Sequence, residues 1–462
     1  MKGKREGDAG PAHTEALAAY IKGLSYEQLP EDVVQQAKLV ILDTIGVLLA
    51  ASSPRYQASA IVQQLVKGFG GSAEATVAGT PFKTSAVHAA LANGTIADNI
   101  ELDDSHPLSG AHVAAVVIPT ALAVAEKTGA HGKALLTSVV LGYDIDVRVV
   151  LAMNPASMYE RGFHPSAVAG AFGATTAAGK LLDLTQDQLR NALGLAGSQA
   201  SGLMAWENDP TQMPKSLQMG IAARNGVTAA TLASMGFSGP PAIFEGRYGA
   251  VGAFSDEPDL QALSAELGTR FEITFTGLKK YACCRFLHAA LDAFLQIVSE
   301  WDLSPDDIEQ IVVRVPVAGA PIIDNNELLS HSAQYIMPLA ARDRSIVPEH
   351  IFEDHRADPE VARLAPRVSV VGDQELSKVF PGRFSEPAVV EVDVVGGHSV
   401  SVRSDFASGD PEKPLTREEV DSKFERLATT IVPAGRAQEI MELVYGLDQL
   451  VDVRKLGGLL GV

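Results

Sequence analysis

Hydrophobic positions recur at helical spacing through the first 270 residues. The segment that begins at Pro30, PEDVVQQAKLVILDTIGVLLA, places acidic residues in a first turn, continues with periodic apolar residues and ends in small residues. This pattern is typical of a buried helix. Similar patterns predict helices over 83–101, 112–129, 132–153, 164–181, 186–204 and 216–236. Their many Ala and Gly residues allow helices to pack closely.

The pattern changes after Phe271. Three β-branched, alternating segments predict strands of a small sheet: FEITF at 271–275, IEQIVVRVPV at 308–317 and VVEVDVVGGHSVSVRS at 389–404, the last with a Gly-Gly turn. Between them, LHAALDAFLQIVSEW and Leu-rich stretches near 330–365 keep helical spacing.

The tail returns to amphipathic helix in TREEVDSKFERLATTIV and AQEIMELVYGL. We therefore predict a mainly α fold with an α+β second domain. Residues 1–270 and 401–462 would form one helical domain, and residues 271–400 a smaller α+β domain inserted into it.

Composition and charge narrow the range of functions. The chain has 462 residues, of which 46% are hydrophobic and 20% charged, as in globular proteins. Its 37 basic and 56 acidic residues give a net charge of −19, which repels nucleic acid and anionic membranes. An anionic substrate would then need a local island of cationic side chains.

Targeting signals and cysteine frameworks are not evident in the sequence. No continuous apolar stretch follows the basic N-terminus, and the apolar run Leu39–Ala51 contains Asp43 and is too short to span a bilayer. We expect a cytoplasmic protein. The two cysteines, Cys283 and Cys284, are neighbours and provide neither a disulfide framework nor a zinc cluster.

The densest polar cluster lies between two apolar helices, in NIELDDSHPLSGAHVAAVVIP. It contains Glu101, Asp103, Asp104, Ser105, His106 and His112. A plain structural interpretation is a solvated loop that caps the next helix. His164 precedes Pro165 at the start of a helix of small residues, where unpaired N–H groups favour an anion. Its structural alternative is a histidine packed as a helix cap.

Two cationic segments complete the candidates. Lys215 lies in a polar loop directly before a Gly- and Ala-rich helix, and GLKKYACCRFLHAALDA gathers Lys279, Lys280, Arg285 and His288. Lone lysines and charge runs usually face solvent. The sequence has no His-Glu-x-x-His spacing, dinucleotide fingerprint, phosphate loop or Gly-x-Ser-x-Gly elbow. The residues favour acid–base chemistry without a metal.

These segments, in this order, resemble the MmgE/PrpD family, which includes 2-methylcitrate dehydratase, cis-aconitate decarboxylase and iminodisuccinate epimerase. The resemblance covers nearly the whole chain. It rests on AKLVILDTIGVLLA, LDDSH followed by His112, GYDIDVR, FHPSAVAGAFGA, KSLQMGIAARNGVTAATLASMGFSGP, KKYACCRFLH, AQYIMPLA and EVDSKFERLA. It implies a large helical domain with a smaller α+β lid, an active site in the cleft between them, a homodimer and no metal or organic cofactor.

The family's site positions fall on Glu101, Ser105, His112, His164, Lys215 and Lys279, with Cys284 at a further pocket position. The decarboxylase branch has Asp, Thr and His where Glu101, Ser105 and Cys284 stand. The dehydratase branch has Trp where His106 stands. These departures weaken the case for cis-aconitate decarboxylation and for methylcitrate as the substrate.

We predict a lyase that removes a proton next to a carboxylate of a small di- or tricarboxylic acid. The predicted catalytic residues are His112, His164, Lys215, Lys279 and Glu101, and the predicted substrate-binding residues are Asp104, Ser105, His106, Cys284 and Arg285. The two histidines supply base and acid in an order left open, and we expect Glu101 or Asp104 to orient His112. Dehydration ranks before epimerisation and decarboxylation. A catalytically silent carboxylate-binding protein is the competing class.

Overall fold

The computed structural model describes residues 13–380, 382–384 and 387–462. The basic start of the chain, at 1–8, bears on the expected lack of a signal peptide and lies outside the described residues. The first part of the chain contains the helices α1 (His13–Gly23), α2 (Glu31–Ala51), α3 (Gln57–Phe69), α4 (Ala86–Asp98), α5 (Ala114–Thr128), α6 (Gly132–Ala152), α7 (Pro155–Glu160), α8 (Pro165–Leu181), α9 (Gln186–Gly197), α10 (Met213–Ser234) and α11 (Ala250–Phe254).

The predicted helices of the first part are confirmed, with shifts at their ends. The segment predicted as helix over 186–204 ends at Gly197, and residues Met204–Asn208 form a separate 3₁₀ turn. The sequence patterns did not single out α1 and α3. Short two-stranded ladders join β1 (Ala75–Thr76) to β2 (Lys83–Thr84) and β3 (Asp104–Ser105) to β4 (Gly277–Leu278).

Helix α2 forms part of the core. Glu31 and Asp32 lie in its first turn, and nearly every residue after Leu39 is buried. Among the described residues, this helix alone is long and apolar enough to cross a membrane. However, 83% of its most apolar window is buried inside the protein, as in a core helix.

Small residues allow the helices around the site to approach closely. A Cβ atom added to Gly220 of α10 would lie 2.1 Å from Oγ1 of Thr95 in α4. One added to Gly226 would lie 2.3 Å from Cβ of Ala174 in α8. The expectation that Gly and Ala permit close helix packing is therefore confirmed.

The α+β part contains a four-stranded sheet in the order β6-β5-β7-β8. β5 (Ile308–Pro316) pairs in parallel with β6 (Val368–Asp373) and antiparallel with β7 (Ala388–Val394), which forms a hairpin with β8 (His398–Ser404). The Gly-Gly turn at 396–397 has positive φ values of 103° and 89°, as tight hairpins require. The helices here are α12 (His288–Glu300), α13 (Ala320–Ile323), α14 (Ala333–Asp343), α15 (Pro348–Phe352) and α16 (Pro359–Leu364).

The prediction that FEITF at 271–275 is a strand is wrong. Residues Glu272–Phe275 form a 3₁₀ turn. The buried Glu272 carboxylate accepts hydrogen bonds from Arg270, and the Glu272 N–H donates to Asp144 at 3.2 Å. Side-chain partners therefore replace a strand ladder. Strand β6 was not predicted.

The C-terminal helices pack on the first part of the chain. They are α17 (Arg417–Ala428), α18 (Ala434–Tyr445) and α19 (Arg454–Leu460), which contact α2 and α5. The fold class is confirmed as mainly α with a smaller α+β part. The boundaries at 270 and 400 stay predictions.

Candidate active site

The polar cluster predicted after α4 lies against the short strand β4. Asp104 pairs with Leu278 and Ser105 with Gly277 in the antiparallel β3–β4 ladder. Asp103, which precedes Asp104, therefore lies close to Lys279, which follows Leu278. Glu101 has a φ of +53°, which turns the chain sharply between α4 and β3. The start of α10 closes this region.

Two buried lysines and two buried carboxylates form the centre of the site. Lys215 Nζ donates to Glu101 Oε1 at 2.5 Å. Lys279 Nζ donates to Glu101 Oε2 at 3.0 Å and to Asp103 Oδ1 at 3.2 Å. All four side chains are almost fully inaccessible to solvent. The expected cationic island is therefore present, but carboxylates of the protein already balance its charge.

This pairing sets the ionisation of the cluster. Burial alone would raise the pKa of Glu101, but Lys215 and Lys279 outweigh it and hold that pKa well below its ordinary value. The pKa of Asp103 is lowered in the same way, against burial, by Lys279 and His112. Burial acts to lower the pKa of both lysines, yet the carboxylates raise it. The centre is an ionised network.

Asp103 and Asp104 orient the ring of His112. Its Nδ1 lies 2.7 Å from Asp103 Oδ2 and 2.9 Å from the backbone oxygen of Asp104. The expected orienting carboxylates, Glu101 and Asp104, are therefore replaced by the Asp103 carboxylate and the Asp104 carbonyl. Burial lowers the pKa of His112, but the Asp103 charge outweighs it and the pKa is raised.

His164 lies in a contrasting environment. It precedes α8, and its side chain does not cap the helix. Its Nδ1 lies 2.9 Å from Gln218 Oε1, while the Gln218 amide nitrogen donates to the Leu203 carbonyl. This fixes Nδ1 as the protonated nitrogen and leaves Nε2 with a lone pair. Burial, with smaller contributions from His112 and Lys215, lowers the pKa of His164 to about 3.

Asp104 supports the site without joining the lysines. Its carboxylate accepts hydrogen bonds from the Ala114 N–H at 2.9 Å and from the Tyr143 hydroxyl at 2.8 Å. Burial and the charge of Asp103 raise the pKa of Asp104 to about 7. Ser105 lies in the β3–β4 ladder beside Gly277.

Two predicted substrate-binding residues point to other partners. His106 is fully buried, its Nε2 lies 3.4 Å from Glu272, and its Nδ1 accepts from the Ser109 N–H. The Arg285 guanidinium pairs with Asp410. The structure therefore does not bring His106 or Arg285 to the lysine cluster, and both tie loops together.

The α+β part contributes a wall that includes a residue missed from the sequence. The Cys284 N–H donates to the Ser330 carbonyl at 2.9 Å, and Ser330 Oγ lies 2.9 Å from His331 Nδ1. Burial raises the pKa of Cys284 to about 12, so its thiol stays protonated. Burial lowers the pKa of His331 to about 4 despite the charge of Glu101. Only the short polar SHS run could have indicated His331.

Asp98, the last residue of α4, is a second residue missed from the sequence. Its Oδ1 lies 3.7 Å from Lys215 Nζ. Asp98, Asp103 and His112 bring one potential ligand atom each within 4.8 Å of one another, a spacing that a metal ion could bridge. The ammonium groups of Lys215 and Lys279 lie beside these carboxylates and repel a further cation, so the site does not favour a metal ion.

Lys423 of α17 supports the backbone of the site. It forms an ion pair with Asp43 at 2.7 Å and donates to the carbonyl oxygens of Leu102 at 3.1 Å and Lys279 at 2.7 Å. Leu102 lies between Glu101 and Asp103. Helix α17 therefore fixes the backbone of Lys279 and of the segment that carries Glu101 and Asp103.

The arrangement is suited to acid–base chemistry on an anion. Two histidines have pKa values displaced in opposite directions, which is the pattern of an acid and a base in one site. Buried ammonium groups stand where negative charge could be stabilised in a medium of low dielectric constant.

Comparisons with known proteins identify the family of the chain. The MmgE/PrpD N-terminal domain model matches residues 15–263, and the C-terminal domain model matches residues 281–449. The chain is 29% identical to a cis-aconitate decarboxylase of Aspergillus terreus, over 98% of this chain and 97% of the relative. It is 28% identical to the cis-aconitate decarboxylase of Homo sapiens, over 97% and 94%, and 27% identical to that of Mus musculus, over 97% and 93%. With both domain models matched in order, the chain belongs to the MmgE/PrpD family.

Proposed function

We propose that the protein is a cofactor-independent lyase that removes a proton next to a carboxylate of a small di- or tricarboxylic acid and then expels a β-hydroxyl group. The observation that carries this proposal is the pair of histidines with opposed pKa shifts beside two buried lysines. A proton next to a carboxylate is only weakly acidic, so both a base and stabilisation of the enolate-like dianion are needed.

His164 is the proposed base. Its Nε2 carries a lone pair because Nδ1 is held by Gln218. A bound polycarboxylate brings negative charges that raise the pKa of His164 from about 3 towards neutrality, where a base works best. The C–H electron pair then forms the enolate-like state, which Lys215 and Lys279 stabilise.

His112 is the proposed acid. Asp103 favours its imidazolium form, and the same substrate charges strengthen that preference. As the C–O bond breaks, the Nε2–H of His112 gives its proton to the leaving hydroxyl. The products are water and a C=C bond, and proton exchange with solvent restores both histidines.

Decarboxylation is the second candidate, because the relatives that align over nearly the whole chain are cis-aconitate decarboxylases. The same protonated His112 could then give a proton to carbon after carbon dioxide leaves. Epimerisation, by reprotonation of the enolate on its other face, is a third outcome of the same machinery. The predicted homodimer and cytoplasmic location stay predictions.

A substrate panel tests the proposal. β-Hydroxy di- and tricarboxylates and cis-aconitate are incubated with the protein, and ultraviolet absorbance, carbon dioxide release and proton NMR in deuterium oxide are followed. New C=C absorbance from a hydroxy acid is the expected result. Carbon dioxide release from cis-aconitate alone would favour the second candidate. Binding without turnover or exchange of any compound would indicate a silent binding protein.

A further inference from the structure

Asp98 is a buried carboxylate with no hydrogen-bond donor of its own. It is 1% exposed, and among the described residues neither of its oxygens has a hydrogen-bond partner. The contact to Lys215 Nζ, at 3.7 Å, is too long for a hydrogen bond. In contrast, Glu101 accepts hydrogen bonds from two lysines and Asp103 from one.

This carboxylate belongs to the site. Its oxygen lies within 4.8 Å of ligand atoms of both Asp103 and His112. Burial raises the pKa of Asp98 to about 6, despite the nearby Lys215. A buried carboxylate without a hydrogen-bond donor costs free energy that a ligand O–H group can recover.

The neighbouring charges decide which kind of donor fits. Lys215 and Lys279 lie beside the carboxylates and repel any further compact cation. A neutral hydroxyl group adds no charge, can donate to Asp98, and leaves the lysines to the carboxylates of the same ligand. An unsaturated or fully deprotonated acid without O–H offers Asp98 no donor and faces a buried negative charge.

We propose that Asp98 is a specificity-determining residue that accepts a hydrogen bond from a hydroxyl group of the polycarboxylate substrate. This inference rests on the proposed function, because it assigns the hydroxyl-bearing class of substrate to the same site. Asp98 selects such acids over analogues that lack the hydroxyl, because a site with a buried polar group rejects a ligand that leaves the group unpaired.

Matched ligand pairs test the inference by binding calorimetry at pH 7.5. Every protein in this test carries His164→Asn, which removes the proposed base and prevents turnover, and wild type here means that Asp98 and Asp146 are unchanged. The pairs are citrate with tricarballylate and malate with succinate, which differ only by a hydroxyl group. The wild type should prefer the hydroxy acid of each pair by about tenfold or more, as expected for a hydrogen bond to a charged group. Asp98→Ala and Asp98→Leu should bind both members within about twofold. Asp98→Leu fills the site, so one variant stays usable if a cavity unfolds the other.

Asp146→Asn is the matched control. Asp146 is equally buried and has no hydrogen-bond partner among the described residues, but it lies on α6. This variant should keep the wild-type preference. A wild-type ratio retained by both Asp98 variants would overturn the inference. Preference without turnover of any hydroxy acid would leave it standing and overturn the proposed function, whereas failure of all four acids to bind the wild type would overturn both.

Discussion

His112 has the carboxylate of Asp103 directly behind its ring, with Nδ1 and Oδ2 2.7 Å apart. Burial lowers the pKa of His112, and it is this carboxylate that raises it above the ordinary value. A proton donor works only while protonated, so its rate falls as pH rises through its pKa. Asp103→Asn should lower the pKa of His112 and move the alkaline limb of kcat/KM to lower pH.

Asp146→Asn serves as the control for this pH profile. Burial raises the pKa of Asp146 well above its ordinary value. The charged groups that shift the pKa of His112 most are Asp103, Lys279 and Lys215, and Asp146 is not one of them. Its alkaline limb should coincide with that of the wild type. An unchanged or upward-shifted limb in Asp103→Asn would show that Asp103 does not tune the acid.

Substitution of the two histidines should separate their roles. His164→Asn removes the base and should abolish both product formation and exchange of the substrate α-proton in deuterium oxide. His112→Asn should lose about a hundred- to ten-thousandfold in turnover, because it removes general acid catalysis, yet keep α-proton exchange. Proton NMR follows both reactions. The opposite result, with exchange retained only in His164→Asn, would reverse the assignment.

Activity should survive prolonged treatment with EDTA. Asp98, Asp103 and His112 have ligand atoms close enough for a metal ion, but the ammonium groups of Lys215 and Lys279 lie beside the carboxylates and repel a further cation. Turnover of the dialysed protein is measured before and after each divalent ion is added. Loss on chelation that a single ion restores would contradict a metal-independent mechanism.

Lys423→Met should lower both stability and activity. It leaves the buried carboxylate of Asp43 unpaired, and breaking one side of a buried ion pair typically costs about 3–5 kcal/mol. Urea unfolding measures the loss, and kcat reports the position of Lys279. Lys455→Met is the control, because its side chain is 60% exposed and such pairs contribute little.

A double variant separates stability from positioning. Lys423→Met with Asp43→Leu removes both charges and should recover much of the free energy of unfolding, but the carbonyls of Leu102 and Lys279 still lack their donor. We expect kcat to remain low. Full recovery of kcat would show that Lys423 contributes only stability.

Helical periodicity predicted most of the fold because it depends on local spacing. The strand prediction for 271–275 was wrong because Glu272 is held by Arg270 and Asp144, and Asp144 is distant in sequence. Strand β6 was missed since its single short run, VSVVGD, becomes a strand through parallel pairing with β5. Both differences arise from tertiary contacts.

In the candidate site too, local sequence features predicted some residues, whereas tertiary contacts decided the others. Residue type and helix position offered Glu101, His112, Lys215 and Lys279 as candidates, and the family resemblance selected them. Charge alone could not show that Arg285 turns to Asp410 or that His106 turns to Glu272. Asp98 was missed because it lies in the last turn of an apolar helix, and only the folded structure brings its carboxylate near Lys215, Asp103 and His112.

The contacts of Lys423 also affect when the site is completed during synthesis of the chain. Lys279 and Lys423 are 144 residues apart, so at about 5–20 residues per second the ribosome adds Lys423 on the order of ten seconds after Lys279. A nascent chain can carry every proposed catalytic side chain before α17 exists. Chains that stop before α17 therefore lack this support, and we expect them to consume little substrate.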